Sequence, residues 1–326
     1  MEIFKQVRNR DDVLRYLNVA LEHEWAVSFE YLFHAYSMPK GKFFYEDPIS
    51  KMKTDVRGQT IQIGIDEMYH ALQLGVVIGQ MGGVPSFKTD EVLRYPLILD
   101  NLGRDRKTED LVTDLYQSAD FPEGEFPKIQ NMVWNISYDE VRHSRQFIAM
   151  MDAMRRAGQE GALCFPANPE AAARPEVRLL HEITVLENEI MHRYLKHVIL
   201  FSEHQDLSQR LFKNSINHMR HWDKAAGCLV KLGDVIRIEN AVKDAAGVER
   251  SVDPMPAFYP GDDRPSALKT LQPAEEALAA KYEAAIGLLP DGEVKDQLRL
   301  QLGLTREHIF TVEWLTKNAL KIKGVW

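Results

Sequence analysis

Apolar residues recur with the 3.6-residue helical period along almost the whole chain, whereas strand-like alternation bounded by turn residues is scarce. That pattern restricts the chain to an all-α fold in which each helix buries an apolar stripe against its neighbours. Helices are expected at about 11–37, 49–81, 127–157, 176–203, 206–232, 272–288 and 292–321, with a shorter or broken segment over 89–119 interrupted by Pro96. Pro175 and Pro273 suit first-turn positions, and Asp291 suits an N-cap. The Gly-, Pro- and Ala-rich stretch GQEGALCFPANPEAAARPE, residues 158–176, reads as a linker. It divides the chain into one bundle over 1–158, a linker over 159–175 and a second bundle over 176–326. A further connection, about 234–270, carries too many Pro and Gly for a core element, and loops of that length are usually functional or mobile.

With 326 residues and 45% apolar content the chain can bury a substantial core. A formal charge of -8 argues against a nucleic-acid partner, which would need a basic stripe. The start MEIFKQVRNR offers no apolar signal segment, and no apolar run reaches spanning length, so a cytoplasmic location without a membrane partner is expected. Cys164 and Cys228 are too few for a zinc ribbon or a rubredoxin-type iron site. Any metal chemistry must therefore use carboxylates and histidines.

The two halves repeat one another at polar positions, where chance agreement is less common than at Leu or Ala. EHEWAVSFEYLFHAY aligns with LENEIMHRYLKHVIL, pairing Glu24 with Glu187, Tyr31 with Tyr194 and His34 with His197 at a constant separation of 163. IDEMYH aligns with INHMRH, pairing Met68 with Met219 and His70 with His221 at a separation of 151. His143 in YDEVRH pairs with His308 in TREH. The expected fold is thus two tandem four-helix bundles produced by duplication.

In IDEMYH, Glu67 and His70 are three residues apart, so both point from one helix face and can meet a single ion. Glu140 and His143 repeat that spacing on the last helix of the first half. Glu24 shares a face with Tyr31 two turns on, and Glu109 lies on the third segment. One Glu from each of two helices, with Glu-x-x-His from each of the other two, is the ligand set of ferritin-like dinuclear carboxylate sites. Four carboxylates carry the charge that two divalent ions neutralise, and hard oxygen donors with one imidazole per ion suit iron or manganese.

Residues 18–36 and 65–87 resemble the first two helices of bacterioferritin, and YDEVRH resembles part of its last helix. The resemblance implies that Glu24, Glu67, His70, Glu109, Glu140 and His143 ligate two irons. It makes Glu67 and Glu140 the bridges, Glu24 and Glu109 terminal ligands, and Tyr31 a buried phenol beside a ligand carboxylate. It also implies a haem role for Met68, whose family counterpart ligates a haem shared between subunits; Met219 would supply the second thioether, although helical Met is more often core filler.

The second half departs from the pattern, because His218 stands at the position of Glu67 and Thr305 at that of Glu140. Glu187, His218, His221, His308 and either Glu275 or Glu276, with Glu276 expected, remain as donors, a set whose charge fits one divalent ion; the alternative is a hydrogen-bonded polar cluster without metal. Glu189 and His192 have the same spacing but fall out of register with the repeat. The expected activity is ferrous iron oxidation, or reduction of dioxygen or peroxide. The alternatives are oxidation of an organic substrate by the same site and a non-catalytic helical protein stabilised by metal. A fused pair can imitate a ferritin-family dimer, and a homo-oligomer is the expected assembly if the chain associates.

Overall fold

The structure, a computed structural model, describes residues 7–122, 124–251 and 264–319. These are mostly helical, and none of the described helices is long and apolar enough to cross a membrane. They divide into two compact units, one running to Cys164 and joined by 240–251, the other comprising 165–239 and 264–319.

In the first unit α1 (Arg10–Tyr36) starts at Asn9, whose side chain accepts from the backbone N–H groups of Asp11 and Asp12. The second helix starts later than its periodicity predicts. Residues 44–55 instead form an antiparallel hairpin of β1 (Phe44–Glu46) and β2 (Lys53–Asp55), and only then does α2 (Val56–Gln80) begin. Asp47 stabilises the hairpin turn by accepting from the backbone of Ile49 and Ser50, and Asp55 caps α2 by accepting from Gly58 N at 3.0 Å. These three bonds of two local carboxylates outcompete extension of the helix through Pro48.

The interrupted third segment resolves into β3 (Val92–Arg94), a turn through Pro96, and α3 (Ile98–Gln117). With α4 (Pro127–Arg156), which has Pro at its first turn, α3 completes a set in which α1 packs on α2 and α3, and α4 packs on α2 and α3. Tyr31, Ile63, Leu102, Phe147 and Met150 meet in its core. A node of polar groups ties β3 to α1 and α3. His34 Nε2 reaches Leu93 O at 2.6 Å, its Nδ1 lies 2.8 Å from Asp105, and Glu30 accepts from Leu93 N and Arg104 Nε.

In the second unit α5 (Pro169–Ala172) precedes α6 (Pro175–Leu200) and α7 (Gln205–Lys231). Between α7 and the next helix, β4 (Val242–Lys243) and β5 (Glu249–Ser251) join the first unit's sheet in the order β3-β5-β4, and Arg94 pairs with Glu249. The remaining helices are α8 (Arg264–Leu288) and α9 (Glu293–Ala319). Here α6 packs on α7 and α8, and α9 on α7 and α8, the same pairwise scheme as in the first unit. Pro273 does not start α8 as expected but lies inside it, and Asp291 stands outside α9, exposed and paired with Lys295. The expected extension of the last helix to residue 321 lies beyond Ala319, outside the described residues.

Candidate metal centre

The first unit turns all six expected ligands inward: Glu24, Glu67, His70, Glu109, Glu140 and His143 are each at most 3% exposed. Their ligand atoms form two groups, Glu24, Glu67, His70 and Glu140, and Glu67, Glu109, Glu140 and His143, with all atoms of a group within 4.8 Å. Glu67 and Glu140 belong to both. His70 Nδ1 lies 2.9 Å from Glu67, 3.1 Å from Glu140 and 3.6 Å from Glu24. His143 Nδ1 lies 2.8 Å from Glu67 and 3.5 Å from Glu109.

The donor set fits metal. One oxygen each of Glu24, Glu67, Glu109 and Glu140, together with His143 Nδ1, is buried without a hydrogen bond of normal geometry among the described residues, Glu67 and His143 facing each other at 2.8 Å, and all five converge on the cluster. A dry interior tolerates such atoms only when something charged answers them. Without metal, protons take that part. Burial and then the Glu109 charge push Glu67 up, and burial and then Glu67 push Glu140 well up. Burial opposes charge on His70 and His143, yet the surrounding carboxylates, Glu67 foremost, hold both well above the usual imidazole range.

Sequence reasoning missed the groups that orient these ligands. His70 Nε2 faces Asp139 at 3.4 Å and His143 Nε2 faces Asp66 at 3.3 Å, and Arg142 lies 3.0 Å from both aspartates. Each aspartate directly precedes a ligand glutamate, so the signal was present in DEMYH and DEVRH. A carboxylate on Nε2 holds the proton there and leaves the Nδ1 lone pair facing inward. Two phenols support the carboxylates: Tyr31 donates to Glu109 at 2.6 Å, and Tyr116, also unforeseen, donates to Glu24. Both are held protonated by burial and then by carboxylate charge.

The second unit repeats this frame with different candidate donors. Tyr194 donates to Glu275 at 2.7 Å and Tyr282 to Glu187, matching Tyr31 and Tyr116. That register decides between the two α8 candidates: Glu275 is buried, whereas Glu276 is exposed and accepts from Gln272, because a one-residue step turns about 100° around the helix. Glu276 is thus not a cluster residue. His218 reaches Glu187 through Nδ1 at 2.6 Å and Glu275 through Nε2 at 3.0 Å. Ligand atoms again fall into two groups, Glu187, His218 and His221, and His218, Glu275 and His308. Without metal, burial opposes charge on His218, but Glu275 and Glu187 raise it to about 10. The His218 and His221 contacts outweigh the burial of Glu187 and lower it to about 2, while burial and then His218 lower His308 to about 4. Glu189 and His192 stay out of the cluster, the first bonded to Arg193 at 2.5 Å and the second to Asn188 O at 2.8 Å.

Met68 and Met219 are both buried. Between α1 and α3 a groove of about 330 Å³ has Ala26, Val27 and Val112 on its surface, with His23, Asp90 and Arg104 among its polar residues. Val27 and Val112 lie one turn beyond Glu24 and Glu109. Compared with known protein families, with curated proteins and with solved structures, the chain matches none.

Proposed function

We propose that each unit is a ferritin-like four-helix bundle and that the first holds two iron ions, with manganese the alternative metal, as an oxidoreductase acting on ferrous iron and on dioxygen or peroxide. The observation that carries this reading is the pair of ligand groups sharing Glu67 and Glu140. Two overlapping sites, each with one imidazole and carboxylates from separate helices, suit two neighbouring hard ions better than one. A bound pair would supply two electrons to dioxygen or peroxide as both ions pass from ferrous to ferric. The chain's own residues would hold the ions, neutralise them with four carboxylates and keep the imidazole tautomers through Asp66 and Asp139. Two phenols hold the terminal carboxylates in place.

Elemental analysis of the protein as isolated, followed by anaerobic ferrous titration and then oxygen, tests the reading. Two ferrous ions oxidised rapidly in the first unit support it, and iron that stays ferrous at the rate of free solution contradicts it. A second reading, oxidation of a small organic substrate at the same centre, is favoured by the groove beside α1 and α3, whose apolar residues lie one turn from two ligands. Oxygen consumption that requires an added organic reductant would single it out.

A further inference from the structure

The two units agree in which helix supplies which ligand, but they differ in what joins the halves of each cluster. In the first, Glu67 and Glu140 belong to both ligand groups; in the second, Thr305 replaces Glu140 and the residue common to both groups is His218. A carboxylate reaches two ions through two oxygens on one carbon, whereas an imidazole can do so through nitrogens on opposite edges of its ring. His218 is turned that way, with Nδ1 2.6 Å from Glu187 and Nε2 3.0 Å from Glu275. Beside each carboxylate a further imidazole presents Nδ1, His221 at 3.5 Å from Glu187 and His308 at 3.7 Å from Glu275. Both Nδ1 atoms and Glu275 Oε2 are buried without a hydrogen-bond partner among the described residues.

We infer that the second unit binds two divalent transition-metal ions bridged by the His218 imidazolate, one on Glu187, His221 and Nδ1 of His218, the other on Glu275, His308 and Nε2. One ion does not serve these five residues. Their ligand atoms separate into two groups, and an ion taken into either leaves a carboxylate and an inward imidazole nitrogen of the other unanswered. Loading is an exchange without redox change: each proton on a His218 ring nitrogen leaves for solvent as an ion takes its place.

Charge, which alone pointed to a single ion, permits two once the bridge is an imidazolate. Two divalent ions bring four positive charges, Glu187 and Glu275 offset two and the imidazolate a third, and one metal-bound hydroxide neutralises the remainder. Three imidazoles with two carboxylates form a softer set than the first unit's, suited to zinc, copper(II) or cobalt. Each ion has three protein ligands, which leaves a coordination position for water. The Asn217 Nδ2 lies 3.3 Å from His308 Nε2, at the position matching Asp66; an ion at Nδ1 requires the amide to turn its oxygen to that ring nitrogen, which then carries the proton and leaves the Nδ1 lone pair inward.

The test uses the full chain, stripped of metal, dialysed against zinc and washed before elemental analysis. Wild type is expected to retain four ions, Glu67→Ala and His218→Ala two each, and the double variant none. His218→Glu, which offers a two-oxygen bridge, is expected to return to four. Loading Glu67→Ala with copper(II) reads the second unit by itself, whether or not the first unit's proposed iron chemistry holds. Spin coupling through the imidazolate is expected to reduce the paramagnetic resonance intensity several-fold below two spins per chain. Three zinc ions in wild type, four in His218→Ala, or uncoupled copper spins in Glu67→Ala would overturn the assignment. Should His218→Ala not fold, the wild-type count and the Glu67→Ala spectrum still decide it.

Discussion

Asp66 stands 3.3 Å from Nε2 of His143 across the packing of α2 on α4, so the residue before one shared glutamate orients the imidazole that follows the other. Asp139 does the same for His70. Asp66→Ala is expected to weaken metal binding in the first unit by about 10–100-fold, the usual effect of losing an outer partner of a ligand histidine. Asp66→Asn keeps an acceptor and should recover most of the affinity. Competition titration against a chelator measures both, and equal affinities for all three proteins would contradict the role.

Glu67 belongs to both ligand groups of the first unit, so Glu67→Ala should remove both ions together rather than one. Ferrous oxidation in that unit should fall to the rate of free solution. A variant that binds two irons there and oxidises them at the parent rate would refute the ligand assignment.

Tyr31 donates to Glu109 at 2.6 Å in a fully buried setting. Tyr31→Phe leaves that oxygen without its donor at little change in shape, and is expected to destabilise the metal-free protein by about 1–3 kcal/mol. Chemical denaturation of the stripped protein gives the difference. Metal should narrow it, because a bound ion compensates the same carboxylate.

The metal-free second unit has a pH signature set by His218. Its folded value of about 10 exceeds the ordinary 6.5, so its contribution to stability is complete below 6.5 and is lost as pH rises through 10. Glu187, lowered to about 2 from 4.5, contributes above 4.5 and ceases to do so as pH falls through 2. His308, lowered to about 4, subtracts stability as pH falls from 6.5. The combined contribution of these three groups is therefore largest near pH 6.5. The thermal midpoint of chelator-treated wild type should fall from pH 7 to 10 more steeply than that of His218→Gln, and parallel curves would count against the pair of His218 contacts.

Met68 and Met219 occupy matched positions in the repeat, but both are buried as core methionines are. Haemin titration is expected to leave no bound Soret band. A stoichiometric band lost in both Met68→Ala and Met219→Ala would instead establish a haem held by the two thioethers.

The helical class of the chain, most helix positions and the Glu-x-x-His pairs were legible because they rest on short-range geometry. A spacing of three places Glu67 with His70, and Glu140 with His143, on one helix face whatever the rest of the chain does. Polar identities such as Glu24 with Glu187 were enough to align the halves. What neighbours in space impose was not legible. The periodicity could not start α2 at Val56, because the hairpin over 44–55 depends on the Asp47 and Asp55 backbone bonds. It could not separate Glu275 from Glu276, since both lie in a helical run and only packing against Tyr194 and His218 chooses the inward one. Nor could it send residues 240–251 back to the first unit, where β5 pairs with β3 from far along the chain. The crossed aspartates and the two-sided reach of His218 are relations between helices, and sequence spacing within one helix carries no information about which atoms another will present to it.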